Sequence, residues 1–333
     1  VFHRKKRSTV HYVHSNRKGD VMLKYVLKRL GYILVTLWVI VTCTFFMMKN
    51  LPGTPFDAER FSIMTPQQQE RVLEMYGLND SLPMQYVKYI KNMLKGDLGT
   101  SFTYVNQDVS KVITGRLGPS ALIGIQAVLI GLAIGLILGI LAAWKHNSGI
   151  DYFTMILAVL GVSVPNFVAA ALLQYYIGLK WGALPVGFWT GWNCSVLPSI
   201  ALSFSATAMV ARFMRTEMLD VLDQDYIVTA RAKGLSQMKV LMRHAVRNSI
   251  LPVVTILGPI VVNLMTGSLA VENIFSIPGI GSLFVDCIKA NDYPVIMGIT
   301  IFYAAFYMLI VLLVDLAYSL IDPRIRLAKG KES

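Results

Sequence analysis

Apolar positions gather into six long runs, at about 30–48, 119–143, 152–179, 196–213, 251–271 and 294–320, with charge, glycine and proline returning between them. A helix needs about 20 apolar residues to cross a hydrocarbon layer roughly 30 Å thick, and the runs are of that order. Inside such a layer the backbone has no water to bond, so each run must close its own ladder as a helix. The pattern predicts an all-α, polytopic membrane protein with six transmembrane helices. The first run reads as a span rather than a cleaved leader: it is long, and no small-x-small site precedes Lys49-Asn50-Leu51-Pro52-Gly53.

The connection 50–118 carries helical punctuation of its own. Thr65-Pro66-Gln67-Gln68 reads as an N-cap, a first-turn proline and a capping-box glutamine, with Gly77 as the stop. A second helix is predicted over about 83–95, ending at Gly96, with Tyr86, Val87, Ile90, Met93 and Leu94 on one face. This small helical region is either a lid packed on the spans or a docking surface for an external partner. In the second run Gly131, Gly135 and Gly139 recur every four residues, a spacing that lets two helix backbones approach closely.

Composition agrees with the membrane reading. Of 333 residues 55% are hydrophobic and 15% charged, and the mean hydropathy is +0.55, against about 25% charge in soluble domains. Cys43, Cys194 and Cys287 are too few and scattered for a disulfide framework or a metal knuckle, and read as buried small apolar residues. Ionisable groups are scarce in the runs; Asp315 is the clearest, near the end of the sixth, where pairing with nearby Lys/Arg or capping suits it better than proton relay. No Gly-x4-Gly-Lys-Ser/Thr phosphate loop, nucleophile–base pair or metal constellation stands out, so neither catalysis nor a cofactor is expected of this chain.

The net charge of +12 is unevenly placed. Residues 1–21 hold six Lys/Arg against one Asp and three of the five histidines. They are either a basic arm for anionic lipid or sequence upstream of a native start at Met22, since Lys18-Gly19-Asp20 can be encoded AAA-GGA-GAT, a ribosome-binding sequence. Lys24, Lys28 and Arg29 precede the first run, Lys145 and His146 follow the second, and Arg324, Arg326, Lys329 and Lys331 close the chain. Segments 180–195 and 272–293 are poor in base, so both termini are expected in the cytoplasm of a bacterial cell membrane. The expected layout is a basic extension (1–21), a first span (22–49), an extracytoplasmic helical region (50–118), a core (119–320) with a cytoplasmic loop about 215–250, and a tail (321–333).

That cytoplasmic loop contains TARAKGLSQMKVLMRHAVRNSILP, residues 229–252. Asp223 is placed to cap a helix through Tyr226 to Lys233, with Asp225 at its start and Arg231 and Lys233 at its end, all suiting the helix dipole. Gly234 suits a left-handed stop and Ser236 a new cap. On the second helix Leu235, Met238, Leu241, Met242, Ala245 and Ser249 form one face. Lys239, Arg243 and Arg247 recur every four residues on another, where like charges repel by a few tenths of a kcal/mol per pair. Lipid headgroups or an acidic groove on a partner could answer them; the helix–Gly–helix corner favours the groove.

DYIVTARAKGLSQMKVLMRHAVRNSILPVV resembles the coupling loop of ABC-importer permeases of the dipeptide/oligopeptide/nickel branch. The general signature is Glu-Ala-Ala-x3-Gly-x9-Ile-x-Leu-Pro. Ala230 and Gly234 match it, Val228-Thr229 replace Glu-Ala, His244 replaces Ile, and Leu251-Pro252 comes late, departures usual in the peptide branch. LPGTPF (51–56), GLNDSLPMQYVKYIKNMLKGDLGTSF (77–102), VENIFSIPGIGSLFVDCIKANDYPVI (271–296) and DPRIR (322–326) extend the resemblance over nearly everything after Met22. It implies the ABC type I importer permease fold and a role as half of a translocation pathway for oligopeptides or dipeptides. The implied partners are a second homologous permease, two cytoplasmic ATP-binding subunits that carry ATP and Mg, an extracytoplasmic peptide-binding protein and membrane lipid; no nucleic acid is expected. It further implies that Thr229, Ala230, Arg231, Ala232, Lys233, Gly234 and Leu235 engage an ATPase subunit, with Lys239, Arg243 and Arg247 as a supporting basic face.

Candidate polar residues for a peptide path are Thr42, Gln126, Ser163, Asn166, Gln174, Ser205 and Asn263, though each reads more readily as an ordinary interhelical hydrogen bond. Nickel or another small solute of the same branch, a stand-alone secondary transporter, and an anchor that recruits a regulator remain as alternatives.

Overall fold

The computed structural model describes residues 5–50, 61, 63–75, 77–104, 107–265 and 269–321. The expectations for the side chain of Asp315 and for the tail 322–333 lie outside the described residues. Helix α1 (Lys5–Lys49) begins well before the first apolar run and continues into it without a break. Two short helices follow, α2 (Pro66–Met75) and α3 (Leu82–Met93). The capping box is formed as the sequence predicts: the Thr65 amide donates to Gln68 Oε1 at 2.9 Å, and the Gln68 amide to Thr65 Oγ1 at 3.4 Å. Gly77 and Gly96 close the two helices with φ of +66° and +83°, a conformation that costs glycine little. The first half of α3 lies on α1, where the Tyr86 hydroxyl meets Thr42 Oγ1 at 2.7 Å and its ring stacks on Phe46. The lid reading accounts for these contacts.

Next come α4 (Val109–Trp144), α5 (Gly149–Ser163) and α6 (Asn166–Leu173), the last widening into a π-type turn over Gln174–Lys180. The sequence predicts one continuous helix over 152–179; instead α5 and α6 meet at 100°. The cause is local. Pro165 crowds the residue before it out of the helical region, and Val164 is extended at φ −80° and ψ 117°. A 3-10 turn, Trp192–Ser195, leads into α7 (Val196–Leu222), followed by α8 (Asp225–Ala232), α9 (Gln237–Val240) and a second π-type turn, Leu241–Val246, that runs into α10 (Arg247–Met265). After α10 come α11 (Leu269–Ile274), α12 (Ile280–Lys289) and α13 (Tyr293–Ile321). Among the described residues five stretches are long and apolar enough to cross a membrane, and the bent α5–α6 pair makes six.

The core is α4 laid along α7. Lipid tails are as apolar as leucine, so two membrane helices associate by fit rather than by escape from water. The glycine stripe supplies the fit. A Cβ added at Gly131 would stand 2.7 Å from Ala206 Cβ, at Gly135 2.8 Å from the Thr207 carbonyl oxygen, and at Gly139 2.6 Å from that of Ala211. Two turns further toward the 50–118 side, Gly124 meets the α10 backbone at Met265 in the same way.

Two buried carboxylates tie the ends of the spans together on the side of the 50–118 connection. Glu272 in α11 accepts from Ser120 Oγ of α4 at 2.7 Å and from the Ser282 amide of α12 at 2.9 Å. Ser120 Oγ in turn accepts from the Ile280 amide at 2.9 Å, and a Cβ at Gly279 would overlap the Glu272 carboxylate. Asp292, at the start of α13, accepts from Ser101 Oγ and from the amides of Phe102 and Thr103 at 3.2 and 3.0 Å. Beside it Cys287 is 1% exposed, and burial, with Asp292 and Asp286 adding to it, pushes its thiol up to about 12.

Gly135→Leu is expected to destabilise the detergent-solubilised protein by about 1–3 kcal/mol through overpacking. Gly115→Leu on the same helix, where an added Cβ meets nothing within 4 Å, should leave the thermal midpoint unchanged. Because only the thiolate attacks, Cys287 is expected to resist maleimide at pH 9 in the folded protein and to react fully once it is denatured, read by mass spectrometry.

Candidate functional site

The basic segment sits where α7 ends, on the side of the molecule opposite the 50–118 connection. Asp223 closes α7 at φ −87° and ψ 0°, and Gln224 rather than Asp223 stands at the N-cap of α8, at φ −78° and ψ 146°. The expected cap is displaced because α7 runs on to Leu222, nine residues past its apolar run of about 196–213, with Asp223 as its C-cap. From Gln224 the helix makes two turns. The amide of Lys233 reaches the Thr229 carbonyl at 3.0 Å and that of Gly234 the Arg231 carbonyl at 3.0 Å. Gly234 then takes φ +76°, as its place in the sequence predicts. Ser236 occupies the next N-cap position at φ −61° and ψ 149° without a side-chain capping bond.

One face of α8 is mounted on the membrane domain. Ile227 is 0% exposed and Ala230 6%, packed on Val240 of α9 and on Val221 and Leu222 at the end of α7. The Tyr226 hydroxyl accepts from Asn248 Nδ2 of α10 at 3.0 Å. Thr229, Arg231, Ala232, Lys233 and Leu235 are left on the surface, while Ala230 belongs to the mount. Thr229 Oγ1 bonds its own helix at the Asp225 carbonyl. Lys239, Arg243 and Arg247 are exposed as well.

The apolar face of the second helix departs from the sequence reading. Leu241, Ala245 and Ser249 are buried as expected, but Leu235, Met238 and Met242 are exposed and Val240 is buried instead. Leu235 precedes the helix, which begins at Gln237, and the buried positions Val240, Leu241, Ala245 and Ser249 form a narrower face than the sequence spacing suggests. Nor is this a free helix. It continues straight into α10, held by Ser249 Oγ, which donates to the Glu217 carbonyl of α7 at 3.2 Å. The exposed Leu235, Met238 and Met242, beside Val228 at 59% exposed, leave an apolar strip flanked by base.

A family model described as the binding-protein-dependent transport system inner membrane component matches residues 135–327, and its N-terminal companion matches 22–119. The chain belongs to this family of membrane permeases. It is 46% identical over 306 residues to the dipeptide transport system permease protein DppB of Lactococcus lactis subsp. cremoris, covering 92% of this chain and 100% of that protein. It is 43% identical over 310 residues to DppB of Bacillus subtilis, with 92% and 99% covered. Against the oligopeptide transport system permease protein OppB of Haemophilus influenzae the identity is 39% over 307 residues, with 92% and 100% covered.

Within the permease's spans, Thr42, Gln126, Gln174 and Ser205 bond to other groups of the protein. Thr42 bonds Tyr86, Gln126 accepts from Ser199 Oγ at 2.9 Å, Gln174 Nε2 donates to the carbonyls of Val186 and Ile274, and Ser205 bonds its own helix at Leu202. Ser163 and Asn263 are exposed and Asn166 is half-buried. A different stripe emerges on α10. Its exposed positions between 251 and 265 are Thr255, Pro259 and Asn263, and it exposes no large apolar side chain there. By contrast α1 exposes Leu34, Val35, Trp38 and Met47, and α5 exposes Phe153, Ile156 and Val159. Polar side chains in a span tend to face protein or water rather than lipid, and Thr255 and Asn263 give the α10 stripe that character.

A second polar cluster escaped the sequence reading. Asp151, 1% exposed at the start of α5, receives a two-pronged bond from Arg215 of α7: Nε to Oδ1 at 2.6 Å and Nη2 to Oδ2 at 2.7 Å. The Asn147 amide adds a bond at 3.0 Å, and His146 Nδ1 lies 3.2 Å from both Asp151 Oδ2 and Arg215 Nη2. The one available sign was an acid and a base at matching ends of neighbouring runs.

Ile227→Ala is expected to loosen the mount, since truncating a buried isoleucine costs about 2–5 kcal/mol. Amide hydrogen exchange across 225–232 should quicken at least several-fold while the amides of α7 keep their protection.

Proposed function

We propose that this permease is one of two membrane-spanning halves of an ATP-driven, binding-protein-dependent importer of short peptides, and that α8 and Gly234 are its connection to the motor. The observation that carries the reading is the division of α8 into two faces. Ile227 and Ala230 are sealed into the end of α7, while Thr229, Arg231, Ala232 and Lys233 are presented outward on a rigid corner. A helix used only to lie on a membrane surface has no need of a mount on one side and a left-handed stop at its end.

On this reading the basic side is cytoplasmic, both termini with it, in keeping with the positive-inside rule. Two cytoplasmic ATP-binding subunits carry ATP and Mg, and each receives one such corner in a groove; this chain binds no cofactor and catalyses no reaction. The exposed strip of Leu235, Met238 and Met242, with Lys239, Arg243 and Arg247 beside it, gives the groove apolar and acidic requirements together. A second homologous permease closes the pathway against α10, whose Thr255, Pro259 and Asn263 line it. An extracytoplasmic peptide-binding protein delivers the cargo on the side of α2 and α3. A dipeptide or oligopeptide suits a wall of neutral hydrogen-bonding groups, and the names of the relatives support that class over a metal ion.

Gly234→Val forces a β-branched residue into φ +76°, a region that costs an ordinary residue about 1–2 kcal/mol. In the reconstituted importer with all partner subunits, this change and Lys233→Glu are each expected to cut peptide uptake at least several-fold while ATP hydrolysis persists. Uptake per ATP unchanged in both variants would remove α8 from the coupling path, and uptake by this chain alone without ATP would replace the whole reading.

A further inference from the structure

We propose that the Asp151–Arg215 pair is a strut that makes α5 move as one body with α7 and the α8 corner, leaving the Val164–Pro165 bend as the joint between that body and the rest of the permease. The proposal rests on the coupling role assigned to α8, and it names positioning residues for that role.

Three observations place the strut in one body. Arg215 lies two turns before the end of α7, and the Val221–Leu222 end of α7 is the seat of Ile227 and Ala230. A displacement of α8 therefore reaches Arg215 through packed side chains and one helix. The two-pronged guanidinium–carboxylate bond then fixes both the separation and the orientation of α5 relative to α7, which a single contact does not. Along the same edge Gly161 of α5 lies close to Phe204 and Ala208 of α7; a Cβ there would stand 3.1 Å from each. Asp151 is 1% exposed and held by the Asn147 amide as well, so removing Arg215, itself 21% exposed at its side chain, leaves a buried carboxylate without its counter-charge.

Beyond the bend α6 still packs on α7, with Ala170 and Leu173 in the core that holds Leu197 and Ala201, but the turn that follows it is fastened elsewhere. Gln174 Nε2 donates to the carbonyls of Val186 and Ile274 at 2.6 and 2.7 Å, and Gly178 packs against Val186. Ile274 ends α11, the helix that Glu272 fastens to Ser120 and Ser282. The two arms of the bent pair are thus bolted to opposite ends of the molecule. Between them Val164 is extended and Pro165 brings no amide hydrogen, so a change of angle there breaks no helical hydrogen bond across the joint. His146, at 3.2 Å from both members, completes the clasp from the α4–α5 turn.

The test uses the complete importer in lipid nanodiscs with peptide-loaded binding protein. Spin labels at Lys145 and Thr216 report across the strut, and labels at Thr216 and Tyr175 report across the bend. The 145–216 distance is expected to stay constant between nucleotide-free and ATP–vanadate states while the 216–175 distance shifts. Asp151→Asn, and Arg215→Lys, which keeps the charge and loses the fork, should make the first distance state-dependent. Both should lower peptide uptake per ATP about five- to ten-fold, the range of an ordinary coupling free energy, with Cys287 still protected as a check on the fold. A 145–216 distance that changes with nucleotide state in the unmodified protein overturns the strut even where neither variant assembles, and so does unchanged uptake per ATP in both variants. Gly234→Val in the same assay separates the two claims. If it uncouples while the strut variants do not, the strut alone falls; if it stays coupled, the role of α8 falls with it.

Discussion

How closely α4 can approach α7 decides the rest of the molecule. In a bilayer no hydrophobic force drives helices together, and the free energy of association comes from contact between well-matched surfaces. Gly124, Gly131, Gly135 and Gly139 remove the side chains that would hold the backbones of α4 and its neighbours apart. The span that contains α7 is 67% buried, against 11–33% for the other four continuous spans. It is the beam on which α4, α5 and α10 rest, and the same beam carries α8 at its free end. Anything that widens the α4–α7 contact therefore loosens the mount of the corner as well.

Much of this was legible before any coordinates. Apolar run length marks a span almost regardless of context, because the bilayer enforces internal hydrogen bonding on every residue it covers. The Thr65–Gln68 box, the stops at Gly77, Gly96 and Gly234, and the glycine stripe were readable for a related reason: each depends on a few adjacent residues and a fixed geometry. The corner in the basic segment belongs to this class, since Gly234 is placed to stop a helix whatever surrounds it.

Other features were hidden because their causes are distant or cumulative. The 100° break needed one proline in a run that hydropathy alone reads as continuous, and other prolines leave their helices unbroken, as Pro119 does in α4. The π-type turn at 241–246 has no residue signature, and Met238 and Met242 stand on the surface rather than on the expected buried face. Asp151 and Arg215 stand 64 positions apart; only the packing of α5 on α7 makes them neighbours. The neutral polar residues sorted themselves by partner. Gln126 and Gln174 became bolts, while the Thr255–Pro259–Asn263 stripe was visible only once the faces of α10 were known.

Directional and non-directional contacts are not spread evenly through the permease. On the side of the 50–118 connection, Glu272 and Asp292 hold helices by named hydrogen bonds, and on the basic side Arg215 grips Asp151. Between these ends, past the Ser199–Gln126 bond, α4 and α7 meet from Gly131 to Gly139 over glycine, alanine and backbone carbonyl oxygen. Charge-assisted bonds fix orientation and are lost abruptly as geometry changes. Small-residue surfaces change contact gradually, each atom pair contributing only about 0.1–0.2 kcal/mol. A transporter must keep certain parts together while others shift, and this arrangement divides the two tasks by chemistry. The bonds fix the relative orientation of the elements they join; the small-residue middle holds its helices by fit alone. The bend at Val164–Pro165 lies where the two regimes meet.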